Sequence, residues 1–346
     1  MSAYRAAIIG LGRMGSTIDE EVVGYPAVGL PYSIAAACRA IPNVELVAGA
    51  DLLPEKRAAF RERWGVEALY EDFREMIRQE SPDLVAICTR AENHAELGVA
   101  VAELGVPMIF LEKAMACSMQ EADAVRDAVK SAGCAFNTGV LRRFDNRYHR
   151  ARRLIEAGEI GEPQVAVHYA GSSLLHGHIH SLDTLMYLLG DPRVVSVYGE
   201  LRPRDLDLSS NRLDADPRAV YQVEFDNGVE GYTVPAGQWD FEIFGTEGIL
   251  RGCNNGVDWS LRRREAVGSK FRTYVEESLP PLAAQSATQF CLEDLIAAHE
   301  QQRPTLGHIE VTHHCTEACF AVAESHRQGR RVTLPLANRD LYVYHV

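Results

Sequence analysis

The chain has 346 residues, of which 47% are hydrophobic and 24% charged, and its formal net charge is −13 at pH 7. This length suffices for two domains with substantial cores, and the negative charge argues against sequence-independent binding to nucleic acid or to anionic membranes. No apolar run has the length of a membrane span, no secretory signal pattern is found, and the eight cysteines include no C-x-x-C pair. We therefore expect reduced thiols and a cytoplasmic location.

A glycine-rich turn near the start is the first informative pattern. The apolar run 6–9 leads directly into Gly10-Leu11-Gly12-Arg13-Met14-Gly15. Such a turn is typical of the βαβ unit that holds a dinucleotide pyrophosphate, where the first glycine permits the tight turn, the second lets the backbone approach the phosphates, and the third lets helix and strand pack closely. Arg13 and Met14 are then expected near the pyrophosphate. An ordinary glycine turn in an unrelated α/β protein is the alternative interpretation.

An acidic residue follows the next apolar run. Residues 44–50 form a second predicted strand, which ends at Asp51. A carboxylate at this position can accept hydrogen bonds from both ribose hydroxyls and would repel a 2′-phosphate. We therefore expect NAD as the cofactor, with NADP less favoured.

Strands and helices alternate up to about residue 138, which predicts a doubly wound parallel sheet. Ligands bind such sheets at the carboxyl ends of the strands, where Thr89, Asn93 and Lys113 lie. An extra loop, residues 16–31, precedes the first long helix and could be a lid or a plain surface insertion. The first predicted helix, 32–40, precedes the second strand. After that strand, the predicted helices are 55–64, 73–79, 94–104 and 119–131, and the predicted strands are 83–88, 107–111 and 135–137.

The pattern changes in the second part, residues 139–346. An arginine-rich helix (146–157) is followed by period-two strands, which indicate a mostly antiparallel sheet with one covered face. The open face of such a sheet often pairs with a second copy. A late helix is predicted over 311–328, and 201–217 is predicted to be an irregular loop. The predicted strands are 164–169, 194–198, 219–225 and 241–245.

Three histidines cluster between residues 176 and 180. His176, His180 and Asp183 would share one helix face if the helix extends back to residue 176. His180 has a pKa suited to proton transfer near neutrality, and Asp183 could orient its imidazole, whereas His178 falls off that face and is expected to pack or to lie on the surface. A structural role for His180 and metal binding by the cluster, with His313 and His314, are the alternatives.

The combination of these motifs resembles the Gfo/Idh/MocA family, which includes glucose–fructose oxidoreductase, inositol dehydrogenase and rhizopine-catabolism oxidoreductases. The resemblance covers nearly the whole chain and depends on the order of several short motifs. These motifs are the glycine turn, 43–48 leading to Asp51, Thr89 with His94, Glu112-Lys113, 143–145, 180–183 and 332–335. Three positions depart from the family pattern: Ala114 and Arg90 stand where proline is usual, and His176 stands where many members have aspartate.

The resemblance implies an α/β protein with an N-terminal Rossmann domain (1–138) and a C-terminal α+β domain (139–346) that binds substrate and forms homodimers or homotetramers. It implies interconversion of a secondary alcohol and a ketone on a sugar, polyol, cyclitol or sugar acid, without a metal. Lys113 would polarise the substrate oxygen, and His180 would transfer the proton, with His176 as a second relay or a substrate contact. Other relatives use transient oxidation in glycoside cleavage or elimination, or act as dinucleotide-binding regulators, so these two functions remain as alternatives. The residues expected to line the nicotinamide side are Thr89, Asn93, His94, Glu112 and Lys113. The residues expected to border the substrate are Arg143, His176, His180 and Trp239, with Asn137 as a further candidate.

Overall fold

The computed structural model describes residues 3–345, which fold into two units. The first unit contains residues 3–144, 285–313 and 344–345, and the second contains 145–284 and 314–343. Both units were expected, but the segment 285–313 follows the second unit's sheet in sequence and folds with the first. The reason is the apolar face of its helix, since Cys291, Leu292 and Leu295 belong to the buried core that contains Ile34 and Phe110.

A six-stranded sheet forms the centre of the first unit, with strand order β3-β2-β1-β4-β5-β6 and every pairing parallel. This confirms the doubly wound sheet. The short strand β3 was not predicted, since three half-buried residues give no readable alternation. The strands are β1 (Tyr4–Ile9), β2 (Val44–Ala50), β3 (Ala68–Tyr70), β4 (Leu84–Ile87), β5 (Met108–Leu111) and β6 (Ala135–Thr138).

Several helices of the first unit begin or end at recognisable caps. Ser33 and Ser118 accept backbone N–H groups with their hydroxyls at two helix starts, and Gly133 ends a helix in the left-handed conformation. The helices are α1 (Asp19–Val22), α2 (Ile34–Ala40), α3 (Pro54–Trp64), α4 (Phe73–Glu80), α5 (His94–Glu103), α6 (Met119–Ala132) and α9 (Ala287–Gln301).

A nine-stranded sheet dominates the second unit, in the order β15-β14-β13-β12-β7-β11-β10-β8-β16. Only β7 and β11 pair in parallel, so the sheet is mostly antiparallel, as predicted. Burial alternates along β10, which shows that one face is covered. The strands are β7 (Pro163–Tyr169), β8 (Val194–Arg202), β10 (Arg218–Phe225), β11 (Glu230–Val234), β12 (Asp240–Gly245), β13 (Gly248–Cys253), β14 (Asp258–Val267), β15 (Phe271–Ser278) and β16 (Val332–Thr333).

The remaining elements of the second unit are helices and one small strand pair. The sequence did not predict β11, β13, β14 or β15. In the predicted irregular loop 201–217, residues 201 and 202 are the end of β8. Arg212–Leu213 form the two-residue strand β9, which pairs with β17 (Tyr342–Val343). The helices are α7 (Asn146–Glu156), α8 (Ile179–Leu188) and α10 (Ile309–Gln328), of which residues 309–313 belong to the first unit. Within residues 3–345 no helix is both long enough and apolar enough to cross a bilayer.

Candidate active site

The glycine turn of the first unit has the geometry that phosphate binding requires. Gly10 has φ +91°, and a Cβ there would lie 2.7 Å from the Cys88 carbonyl. A Cβ on Gly15 would lie 2.2 Å from the Gly10 carbonyl oxygen, whereas a Cβ on Gly12 would meet no atom within 4 Å. Gly10 and Gly15 are therefore required by the fold, while Gly12 borders open space into which a pyrophosphate can approach. The residues present fit a dinucleotide.

Asp51 is bonded to the same turn. Its Oδ2 accepts the Leu11 N–H at 2.9 Å, and its Oδ1 accepts the Leu53 N–H at 3.0 Å. A cation lies nearby, but it bonds to the backbone: the Arg57 guanidinium donates a hydrogen bond to the Asp51 backbone carbonyl at 2.6 Å. A fixed carboxylate at the end of β2 suits ribose hydroxyls and disfavours a 2′-phosphate.

The predicted loop 16–31 is helical in its first part, up to residue 22, and has no helix or strand over 23–31. A wide helical turn (Arg13–Thr17) follows Gly12 directly, and α1 comes next. The Asp19 carboxylate accepts the N–H groups of Tyr32 and Ser33 at 2.7 and 3.1 Å, which anchors the segment to the start of α2. Exposed Arg13 forms an ion pair with Glu21 of α1 at 2.7 Å.

His94 occupies a different position from the one expected. Its side chain is 1% exposed, with Nδ1 2.6 Å from the Ala114 carbonyl oxygen and Nε2 3.1 Å from that of Thr89. Burial lowers the pKa of this imidazole. The prediction that His94 lines the cofactor is corrected: its ring bridges two backbone segments. Thr89 is half-buried and Asn93 exposed at the end of β4.

Lys113 follows β5 at the carboxyl end of the sheet. Its backbone N–H donates to Glu112 Oε2 at 3.0 Å, and the Lys113–Ala114 peptide is cis. Burial raises the pKa of Glu112, and the positive charge of Lys113 opposes that shift. A Cβ on Gly139 would lie 2.4 Å from the Glu112 carboxylate. The backbone around Lys113 is therefore held by Glu112 and His94, although no proline stands at position 114.

The histidine segment of the second unit begins with a wide, π-type turn (Leu174–His178), which continues into α8. Helical structure therefore extends back past residue 176, which is the condition under which His176, His180 and Asp183 were predicted to share one helix face. Burial differs along it, however, because His176 is exposed, His180 half-buried and Asp183 fully buried. The Asp216 carboxylate accepts the Leu175 and His176 N–H groups at 2.9 and 2.7 Å, which anchors the turn to the loop before β10.

An aromatic cluster surrounds this turn. The His180 and Trp239 ring centroids are 6.3 Å apart, and Trp239 has a φ of +62°, a rare conformation for a bulky residue. His178 is buried and donates from Nε2 to the Ala219 carbonyl at 2.9 Å, and burial lowers its pKa to about 4. This confirms its packing role.

His168 is a member of that cluster that sequence reasoning missed. It is fully buried on β7, with its ring centroid 5.3 Å from that of Trp239 and its Nε2 3.4 Å from Ser181 Oγ. The sequence did contain a signal for its burial. His168 lies two residues after Ala166 in an alternating strand, so both side chains point to the same, inward-facing side.

Two further expectations are corrected by burial. Arg143 is 0% exposed, and its guanidinium donates to the Leu306 carbonyl at 3.2 Å, so it is a core residue of the first unit rather than a border of the substrate site. Asn137 is also fully buried and bonds the Cys291 carbonyl and the Gly307 N–H. Across the described residues, no group of three or more His, Cys, Asp or Glu side chains is arranged to hold a metal ion.

Comparison with known proteins gives the same assignment for both units. The oxidoreductase family profile for the NAD-binding Rossmann fold matches residues 4–140, and the C-terminal alpha/beta domain profile of the same family matches 164–334. The chain is 32% identical over 315 residues to scyllo-inositol 2-dehydrogenase (NAD(+)) of Bacillus subtilis, covering 84% of this chain and 83% of that protein.

Solved structures share the fold. The aldose-aldose oxidoreductase of Caulobacter crescentus in complex with glycerol has a TM-score of 0.78 at 20% identity, covering 96% of this chain and all of that one. Levoglucosan dehydrogenase with NADH and levoglucosan has a TM-score of 0.76 at 20% identity, covering 97% of this chain and all of that one. The chain belongs to the Gfo/Idh/MocA family of oxidoreductases.

Proposed function

We propose that this protein interconverts a secondary alcohol and a ketone on a sugar, polyol, cyclitol or sugar acid, with NAD as the cofactor. The observation that carries the proposal is the glycine turn, which is open at Gly12 and bonded through Leu11 to the Asp51 carboxylate. The B. subtilis relative is named for a cyclitol and for NAD(+), which favours a cyclitol or another polyol as the substrate.

The chemistry divides among a few side chains. Oxidation of a carbinol needs a hydride acceptor, a group that takes the hydroxyl proton and a charge that stabilises the developing alkoxide. NAD, when bound, supplies the hydride acceptor. We assign the stabilising charge to the Lys113 ammonium and the proton transfer to the His180 imidazole.

Other residues would contact the cofactor or the substrate. His176 is exposed on the anchored turn and would serve as a second proton relay or a hydrogen-bond partner of the substrate. Trp239 would border the substrate beside His180. Thr89, Asn93 and Glu112 would line the nicotinamide side, and Arg13 and Met14 would lie near the pyrophosphate.

A panel of cyclitols, polyols, sugars and sugar acids, tested with NAD and with NADP, checks the proposal. We expect absorbance of reduced nicotinamide to appear with at least one of these compounds and with NAD preferred over NADP. Product formation without net nicotinamide reduction, on protein that purifies with bound NAD, would instead favour cleavage or elimination by transient oxidation. Dinucleotide binding without turnover of any panel member would favour a regulator.

We also propose that the enzyme is cytoplasmic and self-associates as a homodimer or homotetramer through the sheet of the second unit. All eight cysteines are present as thiols, as a reducing compartment requires. Light scattering on the purified protein tests the association.

A further inference from the structure

The segment after β4 borders the same crevice as the glycine turn. β1 and β4 are neighbours in the sheet, with β2 on the far side of β1 and β5 on the far side of β4, so the chain changes direction between them. Ligands of doubly wound sheets bind at such a switch point, outside the carboxyl ends of the strands. The two strand ends stay together, since the Cys88 N–H donates to the Ile9 carbonyl at 2.7 Å and a Cβ on Gly10 would lie 2.9 Å from the Thr89 nitrogen.

Arg90 is the third residue after β4 and begins a short 3₁₀ turn (Ala91–Asn93). Its backbone carbonyl accepts the Asn93 N–H at 3.0 Å and the Thr89 hydroxyl at 3.3 Å, so its backbone is held in place. Its side chain is exposed, and no carboxylate within residues 3–345 forms an ion pair with it. The crevice therefore has a cation on its β4 side that is available to a ligand.

Two other arginines lie near the glycine turn, and both are bonded to protein groups. Arg13 forms an ion pair with Glu21 at 2.7 Å, and Arg57 donates to the Asp51 backbone carbonyl at 2.6 Å. The turn itself offers backbone N–H groups, which carry only partial charges. A full positive charge for a negatively charged ligand group is thus most accessible at Arg90. A guanidinium suits phosphate oxygens because it can donate two parallel hydrogen bonds.

We propose that Arg90 is a further cofactor-binding residue, whose guanidinium donates hydrogen bonds to the pyrophosphate of NAD. This inference rests on the proposed function and adds a charged contact to the backbone contacts of the glycine turn. Proline, which is usual at this position in the family, has neither a charge nor a donor, so relatives with proline lack this contact. With a net charge of −13, the protein as a whole repels an anionic nucleotide, and a cation at the crevice offsets that repulsion locally.

Calorimetry with two ligands tests the contact, on protein freed of bound nucleotide. ADP-ribose retains the pyrophosphate of NAD and lacks the nicotinamide. We expect Arg90→Gln to weaken the binding of both NAD and ADP-ribose by about tenfold at low ionic strength, and Arg90→Lys, which keeps the charge, to recover part of the loss. Arg78→Gln is the matched control and should bind like the native protein, because this exposed arginine of α4 donates to the Arg74 carbonyl. Thermal unfolding should be the same in all four proteins.

The ionic strength provides a second readout that a structural role for Arg90 would not change. Raising it from about 0.01 M to about 1 M shortens the Debye length from about 30 Å to about 3 Å. The affinity of the native protein for ADP-ribose should fall more steeply over this range than that of Arg90→Gln, so the difference between them should shrink. Equal salt dependence in the two proteins would contradict the proposal.

The remaining outcomes separate this contact from the proposed function. Weaker binding of NAD but not of ADP-ribose would place Arg90 at the nicotinamide half, and a rise in the substrate KM alone would place it at an anionic group of the substrate; either result overturns the proposal. Normal binding of both ligands by Arg90→Gln rejects the Arg90 contact alone. A native protein that binds neither NAD nor ADP-ribose rejects the proposed function as well.

Discussion

The glycine turn and the histidine turn are built in opposite ways. At the glycine turn the backbone itself does the binding, and the missing side chains at Gly10 and Gly15 permit its shape. At the histidine turn the side chains do the chemistry, and the backbone is held by Asp216, forty residues away in sequence from His176. A short motif therefore shows both the residues and the backbone shape of the first site, whereas at the second site it shows the residues but not the distant carboxylate that positions them.

Lys113→Ala gives the largest expected effect and tests whether binding and chemistry are separate. We expect turnover to fall about 10²–10⁴-fold, since the charge that stabilises the alkoxide is lost, while NAD affinity remains. Steady-state kinetics and calorimetry measure the two quantities. Lys130→Ala is the control, because that exposed lysine lies in the last turn of α6 and forms an ion pair with Glu310. Equal turnover in both variants would contradict the assignment.

Two glycine variants should separate folding from binding within the turn. Gly15→Ala forces a Cβ against the Gly10 carbonyl, and we expect it to lower the free energy of unfolding by roughly 2–3 kcal/mol. Gly12→Ala has open space and should leave thermal stability nearly unchanged while weakening NAD about tenfold or more. Denaturation curves and NAD titrations measure both. A Gly12→Ala protein that binds NAD normally would argue against a pyrophosphate at this turn.

Asp216→Ala should loosen the histidine turn. The carboxylate accepts two backbone N–H groups, so we expect a loss of about 1–3 kcal/mol in unfolding free energy and a drop in kcat larger than any rise in KM. Asp214→Ala is the matched control, since Asp214 is exposed and paired with Arg212 in the same loop. A positioning role is refuted if the two variants show the same kcat.

The buried His178 makes stability depend on pH. Burial lowers its pKa to about 4, below the value of about 6.5 in unfolded chains. Above about pH 6.5 the imidazole is neutral in both the folded and the unfolded state. As the pH falls from about 6.5 toward 4, the imidazole takes up a proton in the unfolded state only. The unfolding free energy should therefore decrease over this window by up to about 1.4 kcal/mol per pH unit. Chemical denaturation of His178→Gln should show a shallower slope than the native protein, and an identical slope would refute the argument.

The smallest expected effect concerns the backbone at Trp239. Its φ of +62° is easy for glycine and costly for other residues. Both Trp239→Gly and Trp239→Ala remove the indole, but we expect the glycine variant to be more stable by about 1 kcal/mol. Both should raise KM for the substrate if the indole borders it. Thermal unfolding and kinetics of the pair separate the backbone contribution from the side-chain contribution.

Sequence patterns predicted much of the fold because its signals are local. The glycine turn, the parallel strands and most helices of the first unit follow directly from apolar periodicity and glycine spacing. Helix α9 was not predicted, and its place in the first unit could not be, because its partners Ile34 and Phe110 are far away in sequence. Strands β14 and β15 were missed because β15 and the end of β14 are exposed on both faces and show no alternation. Strand β13 was missed because it is buried almost throughout and shows no clear alternation either.

For the candidate site, residue types were easier to predict than environments. The histidine cluster and Lys113 stand out in the sequence, but the sequence does not show how deeply each candidate side chain is buried. Arg143 looked like a substrate contact and lies in the core, while His168 looked unremarkable and lies beside Trp239. Asp216 gave no signal, because nothing in a local pattern shows which carboxylate meets a given pair of N–H groups.

The imidazole of His94 has a consequence for the loops that it bridges. A neutral imidazole has a single ring N–H, yet both ring nitrogens face carbonyl oxygens. Burial disfavours a second proton, so Ala114 and Thr89 compete for one hydrogen, and the shorter contact assigns it to Ala114. This assignment gives the peptide beside Lys113 the hydrogen bond from the ring, and it leaves the Thr89 carbonyl at the end of β4 without one from His94.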